Sequence, residues 1–283
     1  MKLVSNLHTI RIPKWMINTI YFLTTCCLLA CEEVIDVDLN DSNPRLVIEG
    51  TIDNSNGPFT VKVSQTINYF GENEVVPVDV EQVSISTANG ESDELVRIAT
   101  GEYRTTNMFG VPDETYTLTV LHNGTTITSS STMPRPIEIN KLQYVFDERE
   151  FNPAGESGYE VTCFFNDPPG KGNYYRLLIY QNGELLDDSG FYLFDDRFSD
   201  GNEVSYTFFN RRFDLEDSIK VELRTLDQQT YDYYDQLNDL LGGGVGPGAG
   251  SAAPGNPTTV FNEDVLGVFA AYATINANFT ITE

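Results

Sequence analysis

Histidine, tryptophan and cysteine are nearly absent from this sequence: two, one and four in 283 residues. Bases are also few, 17 Lys and Arg against 42 Asp and Glu, for a formal charge of −25. That balance excludes a nucleic-acid partner, because phosphate contacts need clustered Lys and Arg. A Ser-His-Asp or Cys-His mechanism needs a histidine base, and a zinc site needs several Cys or His ligands. The chain supplies neither in quantity, so no metal, no cofactor and no catalytic constellation is expected. What is present is enough for a core: 40% hydrophobic and 12% aromatic residues exclude wholesale disorder. At roughly 150 residues per domain, the length suggests one large domain or two modest ones.

The N-terminus reads as an address. Lys2, Arg11 and Lys14 are the only charges before residue 32, and an apolar stretch runs from 15 to 30. Asn18, Thr19, Thr24 and Thr25 interrupt it, and it falls short of the about 20 apolar residues that a membrane span needs. A basic start, an apolar middle and a small residue at the cut define a secretory signal, here 1–30. Leu28-Leu29-Ala30-Cys31 resembles the bacterial lipobox. That resemblance implies cleavage before Cys31 and lipidation of Cys31. Residues 31–44, with Asp36, Asp38 and Asp41, then form an acidic tether. Cleavage removes Trp15, His8, Cys26 and Cys27, and leaves His122 and Cys163 as the only His and the only thiol beyond the lipidated residue. No intrachain disulfide is then possible.

Beyond the tether the pattern is that of an all-β protein. Short β-branched and aromatic runs recur between turn signals at 45–52, 59–66, 79–87, 95–105, 116–120 and 125–129. Asn123-Gly124 and Asn182-Gly183 mark hairpins, because both central positions need positive φ. Thr132-Met133-Pro134-Arg135-Pro136 is an extended link and the expected boundary. Residues 45–135 fit an immunoglobulin-like β-sandwich. Residues 136–283 form a second sandwich-like domain, with strands at 137–146, 159–165, 174–181, 190–194, 204–209 and 218–226. Tyr231, Tyr234, Leu237, Leu240 and Leu241 fall at helical spacing. They predict one amphipathic helix over 228–241, followed by a flexible Gly/Pro loop over 242–257. The apolar stretch 266–281 is expected to return as a strand closing the second domain.

Several groups invite a chemical reading. Asp195, Asp196, Asp200 and Glu203 cluster as calcium ligands do. The EF-hand register fails, since Phe198 stands at the third position, where an oxygen donor belongs, and Thr207 at the twelfth, where a bidentate carboxylate does, and a solvated acidic turn explains the run. His122 sits at a hairpin tip, and Cys163 lies in an apolar strand as an inert buried thiol. Tyr231, Tyr233 and Tyr234 could stack on a ligand, but core packing of an amphipathic helix explains them better. Gly242-Gly243-Gly244 follows a helix instead of opening one, so it is a linker and no phosphate loop. Asp217-Ser218-Ile219 resembles a short O-glycosylation motif, and a strand start explains it equally. Paired carboxylates could hydrolyse a glycoside, yet 42 acids single out no pair.

Taken in order, these segments resemble a known family. The mature start Cys31-Glu32-Glu33-Val34-Ile35-Asp36-Val37-Asp38-Leu39 leads to Leu46-Val47-Ile48-Glu49-Gly50. Gly101-Glu102-Tyr103 and Tyr116-Thr117-Leu118-Thr119-Val120 follow. Then come Phe165-Asn166-Asp167-Pro168, Asn173-Tyr174-Tyr175-Arg176 and Phe194-Asp195-Asp196-Arg197-Phe198-Ser199-Asp200-Gly201. The series ends with Tyr231-Asp232-Tyr233-Tyr234, Asn256-Pro257 and Gly267-Val268-Phe269. The chain resembles the Bacteroidota lipoproteins catalogued as domain of unknown function 4249. The resemblance implies a noncatalytic binding or accessory subunit of a TonB-dependent nutrient-uptake system. It would be lipid-anchored in the outer membrane, at the cell surface or alternatively on the periplasmic face, with a TonB-dependent receptor and a glycan or peptide ligand as partners. A surface hydrolase using Asp and Glu, or an adhesion module, are the alternatives. Only Cys31 receives a role by resemblance. Replacing Cys31 by Ser is expected to abolish labelling by a fatty-acid analogue and release the protein from membranes; a labelled C31S chain would refute the assignment.

Overall fold

Strand β17 (Leu266–Thr280) is fifteen residues long and divides its partners between two halves of the chain. In the computed structural model, which describes residues 44–66, 75–148, 157–186, 191–241 and 255–283, sixteen strands precede it. They are β1 (Leu46–Asp53), β2 (Thr60–Gln65), β3 (Val76–Pro77), β4 (Gln82–Thr87), β5 (Ser92–Glu94), β6 (Val96–Ala99), β7 (Glu102–Arg104) and β8 (Thr115–His122). Next come β9 (Thr125–Thr132), β10 (Ile139–Asp147), β11 (Gly158–Asn166), β12 (Tyr174–Gln181), β13 (Glu184–Leu185), β14 (Tyr192–Asp195), β15 (Glu203–Thr207) and β16 (Ser218–Leu226). One helix, α1 (Gln228–Leu240), stands between β16 and β17. The signal, Cys31, nearly all of the tether with its three aspartates, and 242–254 of the Gly/Pro loop lie outside the described residues.

The strands form three sheets, none closed into a barrel, so the fold is all-β and sandwich-like. A ten-stranded sheet runs β13-β12-β16-β17-β1-β2-β7-β6, with β14 on β12 and β3 on β2. Four strands (β5-β4-β8-β9) and three strands (β10-β11-β15) make the smaller sheets. Val83, Ile85, Tyr116, Leu118 and Val120 of the four-stranded sheet share a core with Ile48, Ile52, Val61 and Val63 of the large one. Val161, Cys163 and Phe165 of the three-stranded sheet share a second core with Tyr175, Leu177, Ile179, Ile219, Val221 and Leu223. In the first core the Tyr116 hydroxyl donates to the Phe109 carbonyl at 3.0 Å and accepts from the Val111 N–H at 2.7 Å. This is the tyrosine corner of immunoglobulin-like sandwiches.

The hairpin turns are where local chemistry placed them. Asn123 (φ 50°) and Gly124 (φ 74°) join β8 to β9 in full register, and Asn182 (φ 52°) and Gly183 (φ 90°) join β12 to β13. The helix begins at Gln228, as expected, with Asp227 as its N-cap, and ends at Leu240, one residue short of the expected span.

β17 does more than close the second half. Leu266 to Tyr272 pair in parallel with Val47 to Asp53 of β1, and Ala273 to Thr280 pair antiparallel with β16. Its first half is buried on both faces. Phe269, Ala271 and Ala273 join the first core, while Val268, Ala270 and Tyr272 face the aromatic underside of α1. Two glycines make the parallel pairing possible. Gly267 has φ +97°, and a Cβ there would lie 2.1 Å from the Ile48 carbonyl oxygen. Gly50 stands opposite Phe269, and a Cβ there would press on that ring at 3.3 Å.

One buried charge cluster ties β10, β11 and the segment before β16. The Arg212 guanidinium, 2% exposed, lies 2.5 Å from Asp147 and 2.8 Å from Glu160. Removing one partner from such a cluster costs about 3–5 kcal/mol, because the rest stays buried without its counter-charge. The parallel splice yields its own test. Gly267→Ala is expected to destabilise by at least about 2 kcal/mol through backbone strain and the clash with Ile48. Urea unfolding measures it, and an unchanged midpoint would show that β1 and β17 do not approach so closely.

Candidate functional site

Three stretches far apart in sequence meet where β12, β16 and α1 begin or end: 166–175, 195–201 and 227–235. The first two are bound together by carboxylates. Asp167 and Asp196 are each 3% exposed. Asp196 Oδ2 accepts the Gly172 N–H at 2.7 Å and the Asn173 N–H at 3.0 Å. Its carbonyl accepts the N–H groups of Ser199 and Asp200, both at 3.1 Å. Asp167 accepts the Tyr175 hydroxyl on one oxygen and the Gly201 N–H at 2.9 Å on the other. Asp200 returns the favour by accepting the Gly170 N–H at 2.7 Å. Burial, reinforced by the Asp167 carboxylate, pushes the Tyr175 phenol far above its ordinary value, so it remains the donor.

This geometry revises the picture of 195–203 as a solvated acidic turn. Its central carboxylate is buried and spent on backbone amides that loop conformation leaves without partners. A cation at Asp196 or Asp167 would have to displace those donors. Among the described residues, no group of three or more His, Cys, Asp or Glu is placed to hold a metal ion.

The third stretch is anchored by a polar node. The Asp227 side chain caps α1 by accepting the Thr230 N–H at 2.8 Å. Its other oxygen accepts the Ser131 hydroxyl at 2.7 Å and the Thr132 N–H at 2.9 Å. Ser131 in turn accepts the Ala271 N–H at 2.8 Å, just beyond the end of β16, where β17 has lost that neighbour. β9, the helix start and β17 are thus joined through two side chains.

Two depressions open at this meeting point and share Gly172 and Tyr174. The larger, about 730 Å³, lies between the link Met133 to Pro136 and the loop at Pro168 to Asn173, over Tyr174, Tyr175 and Leu226. The smaller, about 480 Å³, lies between Asp195 to Arg197 and the helix residues Tyr231, Asp232 and Asp235. The Tyr174 and Tyr231 rings are 4.9 Å apart at its floor. Hydrogen bonds from Arg197 hold the Asp195 carboxyl below the usual carboxylate range. Burial, then the neighbouring Asp239 and Asp232, raise Asp235 above it. Burial and the charges of Asp235 and Asp195 push the Tyr231 phenol up to about 12.

The other singled-out residues lie elsewhere. His122 is at the β8 end, with Nε2 3.0 Å from the Asn123 amide. Cys163 is fully buried in β11, and burial pushes its thiol up to about 12. Tyr233 and Tyr234 pack onto the sheet beneath α1, and the Tyr234 ring stacks on the Arg176 guanidinium at 4.7 Å. Asp217 is bound by Gln181, Asn182 and the Asp214 N–H at the head of β16. Sequence reasoning passed over Tyr174 and Asp167. The turn Asn166-Asp167-Pro168-Pro169-Gly170 was the available signal, since a short carboxylate beside Pro and Gly is a ready acceptor for turn amides.

A family model described as domain of unknown function (DUF4249) matches residues 32–276. No curated protein matches the chain significantly. Among solved structures, the α-L-rhamnosidase of Dictyoglumus thermophilum is similar over 68% of this chain, with 10% identity and a TM-score of 0.23. The chain spans 28% of that enzyme's length, and so distant a likeness carries nothing about activity.

Asp196→Ala removes the buried acceptor of two loop amides, an expected loss of about 1–3 kcal/mol. Amide exchange at Gly172 and Asn173 should rise in step, read by mass spectrometry on a peptide covering 166–173. Unchanged exchange would mean that Asp196 does not order Gly172 and Asn173.

Proposed function

Since this chain belongs to the family described as domain of unknown function (DUF4249), we propose that it is a noncatalytic binding subunit of a TonB-dependent nutrient-uptake system. In this reading it is anchored in the outer membrane through lipid on Cys31 and faces the cell surface. One observation carries the proposal. The motif stretches 166–175, 195–201 and 231–235 converge on one groove, and their buried carboxylates are committed to holding its walls. A site whose acids serve as struts is built to keep its shape, which favours binding, since a preformed surface loses little entropy on docking. Neither His122 nor Cys163 lines the groove, so a His-activated or thiol nucleophile is not what it offers.

A hydrolase remains the alternative from a different class. It would run through Asp235, whose raised pKa is the environment of a general acid. Adhesion to cells or matrix is the third reading.

The test is to tag the C-terminus, solubilise native membranes gently and identify what co-purifies. A stoichiometric TonB-dependent barrel is the expected result. A lone lipoprotein would remove the proposal. Turnover on a glycan or peptide panel, abolished by Asp235→Asn, would replace it with the hydrolase reading.

A further inference from the structure

The turn that walls the smaller depression carries Phe198 at its tip. Phe198 is 98% exposed, the most exposed large apolar side chain among the described residues. Val75 and Leu241 come next, at 74% and 65%, and both adjoin residues outside the described set. Phe198 lies well inside a described segment. Single exposed apolar side chains are common and need no function. What sets this one apart is its mount.

The backbone around Phe198 is tied on every side. The N–H groups of Ser199 and Asp200 close onto the Asp196 carbonyl. The Asp196 carboxylate is held from below by Gly172 and Asn173. Gly201 is fixed by Asp167, and Asp200 by Gly170. Arg197 is folded back onto Asp195 at 2.7 Å, away from any role in covering the ring. The ring therefore has no neighbour to collapse onto, and the backbone that carries it is set before any encounter. Aromatic side chains are enriched at interface cores, and one presented on a preorganised turn loses little backbone entropy on docking.

We propose that Phe198 is the anchor by which this protein docks on a partner protein whose surface offers an apolar socket rimmed by Lys and Arg. This deepens the binding role above and rests on it. The rim chemistry follows from the surroundings. Asp232 and Asp235 line the adjoining depression beside the Asp195–Arg197 ion pair, opposed only by Lys171. The whole chain adds a charge of −25. A basic rim complements that field. An anionic membrane surface would be repelled by it, and a second copy would set one acidic rim against another.

The full-length chain carries the test. Phe198→p-benzoylphenylalanine, expressed in the native cell, is irradiated in intact membranes and the adducts are mapped. The partner so identified is then titrated with wild type, F198A and F198W, at low and high salt. The expected adduct maps to an apolar pocket flanked by Lys or Arg. F198A should weaken binding at least about tenfold, as truncated anchors do, and F198W less than about threefold. Raising the salt should weaken the wild-type complex. All variants should melt with wild type, since the ring touches nothing. Adducts to lipid, adducts to a second copy, no adduct, or F198A binding like wild type would each overturn the inference. If a TonB-dependent barrel co-purifies equally with wild type and F198A, the anchor fails and the uptake role stands. If the adduct maps as expected on a protein outside any uptake complex, the uptake role fails and the anchor stands.

Discussion

The parallel pairing of β1 with the first half of β17 is the contact on which the other elements depend. A parallel strand must be covered on both faces, and the burial of 267–273 meets that demand. The residues are correspondingly small or shaped to fit: Gly267 lets Ile48 approach, Gly50 makes room for Phe269, and Ala270, Ala271 and Ala273 leave space for layers above and below. The first described strand and the last are therefore specified together. Neither Leu46-Val47-Ile48-Glu49-Gly50 nor Gly267-Val268-Phe269 is explained by its own neighbourhood.

From this contact the two sandwiches acquire a common sheet. Odd-numbered residues of β17 point toward the two smaller sheets, Phe269 into one core and Phe279 against the other. Even-numbered residues in its first half meet α1. Where β16 ends, β17 is left with an unpaired amide at Ala271, and Ser131 supplies the acceptor. Asp227 then binds Ser131 and caps the helix. The groove sits at this place because strands, helix and link all stop there, and loops at the ends of rigid elements are where a fold can build a site.

What could be read from sequence were the features whose causes are local. Asn123-Gly124 and Asn182-Gly183 demand positive φ and received it. The helix over Gln228–Leu240 follows from its own spacing, with Asp227 as cap. Strand 266–281 was visible as a strand, but its two partners were not. The pairing with β1 is a relation between segments over 200 residues apart, and β periodicity says nothing about which strand lies alongside. Asp196 was misread for the same kind of reason. An acidic run beside Gly and Ser looks solvated along the chain, and only the arrival of Gly172 and Asn173 from another loop turns its central carboxylate into a buried acceptor.

That misreading bears on function. An acidic, histidine-poor chain invites a search for carboxylate chemistry, and catalysis of that kind needs carboxylates free to exchange protons or touch substrate. Here the buried ones, Asp167 and Asp196, are saturated by N–H and O–H donors from the protein itself. Asp195, Asp232 and Asp235 are left facing the groove, and two of them differ in state: Asp195 is held ionised by Arg197, while Asp235 is pushed toward protonation by burial and like charge. Such a surface carries a negative field over a fixed shape. Field and shape together are sufficient for recognition, which requires a partner of opposite charge and matching contour and no change in any covalent bond.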